Sequence, residues 1–137
     1  MRLYLDTSAL VKRYIYEAGS DIVSKRCAGA SAVILSLVAL PEVISAFNRL
    51  RRESRLSGSQ YEELKKSLTL DMEEAVLVNL TGPVLQRAVT CLEQHPLRAF
   101  DSIHIASALA SSADLFISAD ARQCEAAEKM GLPVERV

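Results

Sequence analysis

Short apolar runs alternate with amphipathic stretches of helical length along the whole chain, and this alternation restricts the fold more than any single motif. Leu3-Tyr4-Leu5, residues 32–35, 75–80, 115–118 and 133–136 read as strands, each bounded by turn or capping residues. Between them, helices are expected from near Ala9, then over about 20–28, 37–55, 60–74, 83–94, 101–112 and 121–130. Strands that alternate with helices in this way build a layered α/β domain around a mainly parallel sheet, here of four to five strands. Ser57-Gly58 and Thr81-Gly82-Pro83 supply breaks, and Pro41 is expected to kink or divide the helix that carries Glu42.

A chain of 137 residues, half of them hydrophobic, has room for one domain with a continuous core, so residues 1–137 are read as a single unit. The net charge of -1 argues against broad polyanion binding. A nucleic-acid site must therefore be local. Cys27, Cys91 and Cys124 are odd in number and far apart, which fits buried free thiols rather than a zinc site or a redox motif. No leader pattern and no apolar run of spanning length is visible, so a cytoplasmic protein without membrane contact is expected.

Four acids stand where strands end or helices begin. Asp6 follows the first strand, Glu42 the second and Asp120 the fourth, while Asp101 opens a helix between the third and fourth strands. Taken singly, Asp6, Asp101 and Asp120 read more readily as helix caps and Glu42 as a solvated helix residue. Together they point elsewhere, because the carboxyl ends of parallel strands line one edge of a sheet and form its ligand crevice. Carboxylates gathered there repel one another unless a cation offsets them, and hard oxygen donors suit Mg²⁺ or Mn²⁺, one ion or two.

Hydroxyls accompany the acids. Thr7 and Ser8 follow Asp6, and Ser118 precedes Asp120; each can orient a carboxylate or simply cap. On the helix bearing Glu42, Arg49 falls on the same stripe about two turns away, roughly 10 Å. Arg49, Arg52 and Lys12 are candidates for contact with a phosphate backbone, with Arg51 and Arg55 extending the charge. His104, one turn after Asp101, reads as a packing histidine with one nitrogen satisfied.

The motifs Tyr4-Leu5-Asp6-Thr7-Ser8-Ala9-Leu10-Val11-Lys12, Glu42, Phe100-Asp101-Ser102-Ile103-His104-Ile105-Ala106-Ser107-Ala108-Leu109 and Ser118-Ala119-Asp120 resemble a PIN-domain ribonuclease of the VapC toxin type. The resemblance covers essentially the whole chain. It implies a three-layer α/β/α domain, Mg²⁺- or Mn²⁺-dependent endoribonuclease activity, homodimer formation and inhibition by a cognate antitoxin. It also implies metal ligation by Asp6 and Asp101, with Glu42 and Asp120 acting directly or through water. Pro41 departs from the family pattern, and Ser118 stands where the family often has Thr.

Competing readings fit less well. An aspartate-nucleophile phosphatase generally needs a second Asp two positions after the first, where this chain has Ser8. A receiver-like phosphorylation switch needs an acceptor Asp after a central strand, whereas the third strand runs into Leu80-Thr81. A catalytically weak module that acts through a partner protein shares the same sequence pattern.

Overall fold

The computed structural model describes all 137 residues. Five strands, β1 (Arg2–Leu5), β2 (Ala32–Ser36), β3 (Val76–Val78), β4 (Leu115–Ser118) and β5 (Val134–Arg136), form one sheet in the order β3-β2-β1-β4-β5. Every neighbouring pair is parallel. The helices are α1 (Thr7–Val11), α2 (Ser20–Gly29), α3 (Ala39–Arg52), α4 (Gly58–Glu74), α5 (Gly82–Gln94), α6 (Ala99–Ala110) and α7 (Ala121–Lys129).

Side chains alternate across the strands and so divide the core in two. Leu3, Leu5, Leu35, Leu115 and Ile117 pack on one face with residues of α1 to α4, including Val23, Val43, Phe47 and Leu68. Tyr4, Ile34 and Phe116 face the other way, against Cys91 of α5, Ile105 and Ala108 of α6, and Ala126 and Ala127 of α7. The result is three layers, helices on both faces of a parallel sheet, as the strand and helix alternation requires. The small residues Ala106, Ser107 and Ala108 are fully buried, which lets α6 lie close to the sheet.

Local boundaries follow capping and pairing. Asp6 is the N-cap of α1 and accepts the Ala9 N–H at 2.9 Å, so the helix begins at Thr7 rather than near Ala9. Ser57 and Gln60 form a reciprocal capping box that starts α4 at Gly58 instead of Gln60. β3 is shorter than its apolar run, because its only partner, β2, ends at Ser36 opposite Val78. α6 begins two residues before Asp101, which places that acid in the first turn.

Pro41 does not divide its helix. α3 is one element, and Pro41 is its third residue. The first backbone N–H of the chain to bond into this helix after Pro41 is that of Glu42, to the Val38 carbonyl at 3.2 Å. Pro41 therefore occupies a position whose N–H needs no intrahelical partner. The thiols are free, although Cys27 is only partly buried, unlike Cys91 and Cys124. No helix is long and apolar enough to cross a membrane.

Candidate metal centre

The strand order reverses direction between β1 and β4, so the loops after these two strands diverge and open a crevice at their carboxyl ends. Asp6 and Asp120 lie on these loops, and the first turns of α3 and α6 bring Glu42 and Asp101 to the same place. All four acids line one cavity of about 510 Å³, together with Thr7, Ser8, Arg49, Arg55, Arg98, His104 and Gln123. Four helix N-termini meet here, and their dipoles favour the anions that gather.

Each carboxylate is held at its own corner. Asp6, almost wholly buried, accepts the Ser8 hydroxyl at 2.8 and 2.9 Å on its two oxygens and the Ser118 hydroxyl at 2.7 Å on Oδ2. Ser118 Oγ in turn accepts the Asp120 N–H at 3.0 Å, and Ser8 Oγ accepts that of Ala119 at 2.9 Å. Thr7 donates to Glu42 Oε1 at 2.7 Å. Gln123 Nε2 donates to Asp101 Oδ1 at 3.0 Å, while the Gln123 backbone N–H donates to Asp120 Oδ1 at 2.9 Å.

The electrostatics differ from corner to corner. Burial holds the Asp6 carboxyl above its ordinary value, outweighing the charge of His104 and the donors Ser118, Ala9 and Ser8. Asp101 is raised too, first by burial and further by repulsion from Asp120 and Glu42, against the Arg98 N–H and His104. Burial also pushes Glu42 upward, but its hydrogen bonds and charge interaction with His104 and Thr7 prevail, and its carboxyl sits below the usual range.

This donor set fits a divalent cation. It is all oxygen in its acids, two of its carboxyls are disfavoured as anions, and the buried Gln123 Oε1 has no hydrogen-bond partner. No three His, Cys, Asp or Glu side chains are drawn together as a finished cage. The serines, His104 and Gln123 hydrogen-bond the acids instead.

Of Lys12, Arg49 and Arg52, only Arg49 reaches the cavity wall, where Arg55 joins it. Lys12 does not line the cavity: it is buried and donates to the Ala18 carbonyl at 2.6 Å and Glu17 at 3.3 Å, closing the loop before α2. Arg52 is exposed and does not line the cavity, because it is displaced around α3 from Arg49.

Arg98, Gln123 and the connections of His104 were not foreseen. Gln123 lies three residues after the capping Asp120, a spacing that places both at one helix end and is a usable signal. Arg98 carries no such mark. His104 has both ring nitrogens engaged, not one.

Residues 3–129 match the PIN domain family. Two curated relatives, Ribonuclease VapC45 and Ribonuclease VapC49, both from Mycobacterium tuberculosis, are 34% identical to this chain over 108 residues, covering 79% of it and 75% of each relative. The fold is similar to that of VapC20, a sarcin-ricin loop cleaving toxin of Mycobacterium tuberculosis, with a TM-score of 0.72 and 15% identity over 98% of this chain and 99% of that one. It is also similar to a chain of a toxin-antitoxin complex from Klebsiella pneumoniae, with a TM-score of 0.68 and 14% identity over 98% and 99%. From the family match and the level of identity to these relatives, the chain belongs to the PIN-domain family, in its VapC ribonuclease branch.

Proposed function

We propose that this chain is a Mg²⁺- or Mn²⁺-dependent endoribonuclease and the toxin of a toxin-antitoxin pair. The observation that carries the reading is the convergence of Asp6, Glu42, Asp101 and Asp120, from four separate elements, on one cavity walled by arginines. Asp6 and Asp101 are the residues that hold the cation, with Glu42 and Asp120 acting directly or through water. When bound, the ion supplies charge neutralisation and Lewis acidity for hydrolysis of a phosphodiester.

The rest of the chemistry belongs to the protein's own groups. Ser8 and Ser118 fix the Asp6 carboxylate, and Gln123 fixes Asp101, so neither turns away when the cavity fills. Glu42 Oε2 and Asp120 Oδ2 accept no hydrogen bond from the protein and are free to orient an attacking water and take its proton. Arg49, Arg55 and Arg98 stand on the cavity wall, where a phosphate backbone is positioned without reading its bases.

Two partners complete the reading. A cognate antitoxin is supported by the structural relative solved in a toxin-antitoxin complex. A second copy of the chain is supported by the exposed stripe of α5 formed by Leu85, Val89 and Leu92, which flanks the buried Val84, Ala88 and Cys91.

The test is cleavage of labelled RNA by the purified chain with Mn²⁺, with Mg²⁺ and with chelator. Chelator-sensitive cleavage that disappears in Asp6→Asn supports the assignment. Cleavage that survives both treatments overturns it.

A further inference from the structure

Every hydrogen bond that Glu42 accepts through its side chain lands on one oxygen. Thr7 donates to Oε1 at 2.7 Å and His104 Nε2 lies 2.6 Å from the same atom, while Oε2 receives none. Contact this close between a ring nitrogen and a carboxylate oxygen requires a hydrogen on Nε2, since a bare nitrogen would set two lone pairs against each other. The Thr7 hydroxyl, 3.1 Å from Nε2, closes the triangle.

The other ring nitrogen is equally constrained. Nδ1 lies 2.8 Å from the Tyr4 hydroxyl, and His104 and Tyr4 are both buried. Tyr4 is itself fixed, stacked on Phe116 with ring centroids 5.5 Å apart and planes 8° apart. A neutral ring accepts from Tyr4 through Nδ1, and a charged ring donates to it; in both forms Nε2–H remains on Glu42. The clamp therefore does not depend on the charge of the ring.

We propose that His104, held by Tyr4, is a positioning residue that fixes Oε1 of Glu42 and so presents Oε2 to the cavity where cation and attacking water are held. This rests on the nuclease reading above. A free Glu side chain loses rotamer freedom when it is ordered, and a preformed clamp removes that cost from the binding step. His104 lies three residues after Asp101 on α6, so this one helix carries a candidate ligand and also the group that aims a second acid from α3. Loss of such an outer partner typically lowers metal affinity or activity about 10- to 100-fold.

A purely structural network tying β1, α3 and α6 predicts something else: a lower Tm with the cation site unchanged. The two are separated by comparing the parent chain with His104→Leu, His104→Gln and Tyr4→Phe. Three quantities are read: Mn²⁺ affinity by calorimetry on metal-free protein, kcat and KM on a labelled RNA, and Tm with chelator present. We expect His104→Leu to bind Mn²⁺ about tenfold or more weakly and to lose kcat with little change in KM. His104→Gln, whose amide N–H can stand in for Nε2–H, recovers much of both, and Tyr4→Phe falls between. Parental Mn²⁺ affinity and kcat in His104→Leu, whatever its Tm, overturn the proposal. If that variant does not fold, the same result in Tyr4→Phe overturns it. A parent chain that neither binds Mn²⁺ nor cleaves RNA removes the nuclease reading itself, a distinct result.

Discussion

The Ser118 hydroxyl donates to Asp6 Oδ2 at 2.7 Å across the boundary between β4 and β1, the line along which the strand order reverses. The same oxygen of Ser118 accepts the Asp120 N–H at 3.0 Å. One side chain thus couples two of the four acids. Ser118→Ala leaves the Asp6 carboxylate with one donor fewer in a buried setting. Hydrogen bonds to charged groups contribute about 1.5–3 kcal/mol, so a loss of stability on that scale is expected in chemical denaturation. The acidic limb of the pH–rate profile moves to higher pH as well, because Asp6 becomes harder to ionise. Ser118→Thr keeps the hydroxyl and serves as the control.

Asp6 is costly to the fold when ionised. Its carboxyl is raised by burial, so between the unfolded and folded pKa values the native chain keeps a proton that the unfolded chain has released. Stability in metal-free protein therefore falls as pH rises through that window, and Asp101, also raised, acts in the same direction. Glu42 is lowered and acts oppositely: its contribution is present above the ordinary Glu value and is lost as pH falls through the folded one. Asp6→Asn removes the charge at nearly constant shape. Its Tm at neutral pH with chelator should exceed the parent's by a few degrees, about what 1 kcal/mol gives a chain of this size, while RNA cleavage is abolished. Calorimetric melts of the two proteins from mildly acid to neutral pH decide it, and equal Tm values across the range refute it.

The architecture was legible because its cause is local. A buried parallel strand must be apolar throughout and must be followed by a crossover, so Leu3-Tyr4-Leu5 and 115–118 announce themselves. The convergence of the acids followed from the same topology. What was not legible depends on side-chain contacts that no local sequence pattern marks. Nothing near Lys12 in sequence says that its ammonium closes onto Ala18, and the reach of His104 to Glu42 spans 62 positions. Pro41 misled because its effect depends on where the helix starts, which sequence boundaries fix only to within a few residues.

Gly19 initiates α2 from the left-handed region, at φ 91°. A Cβ there would lie 3.0 Å from the Val137 carbonyl carbon and 3.3 Å from Cδ of Lys12, the residue that closes this loop. Gly19→Ala combines the left-handed penalty of about 1–2 kcal/mol with displacement of Val137. The expected outcome is a denaturant midpoint lowered accordingly, with the Mn²⁺ affinity of the folded fraction unchanged. A midpoint within error of the parent's would show that the loop relaxes freely.

Arg98 lines the acidic cavity and also an adjoining groove of about 860 Å³ that it shares with His95, Asp101, Asp120 and Arg122. Arg49 stands on the α3 side of the same acids, and none of these three arginines is in a salt bridge. Cations on both sides of the carboxylates give an RNA strand somewhere to lie before and after the bond that is cut. Contacts of this kind position the backbone and release counterions, so their removal acts on binding more than on chemistry. Arg49→Gln and Arg98→Gln should each raise KM for a short single-stranded RNA severalfold and leave kcat within about twofold. The slope of log affinity against log salt should become shallower by about 0.7 for each arginine removed. Arg52→Gln, away from the cavity, should change neither. Salt titrations of binding by fluorescence anisotropy with Asp6→Asn as the uncleaving background measure the slopes, and an unchanged slope in Arg98→Gln would place the strand elsewhere.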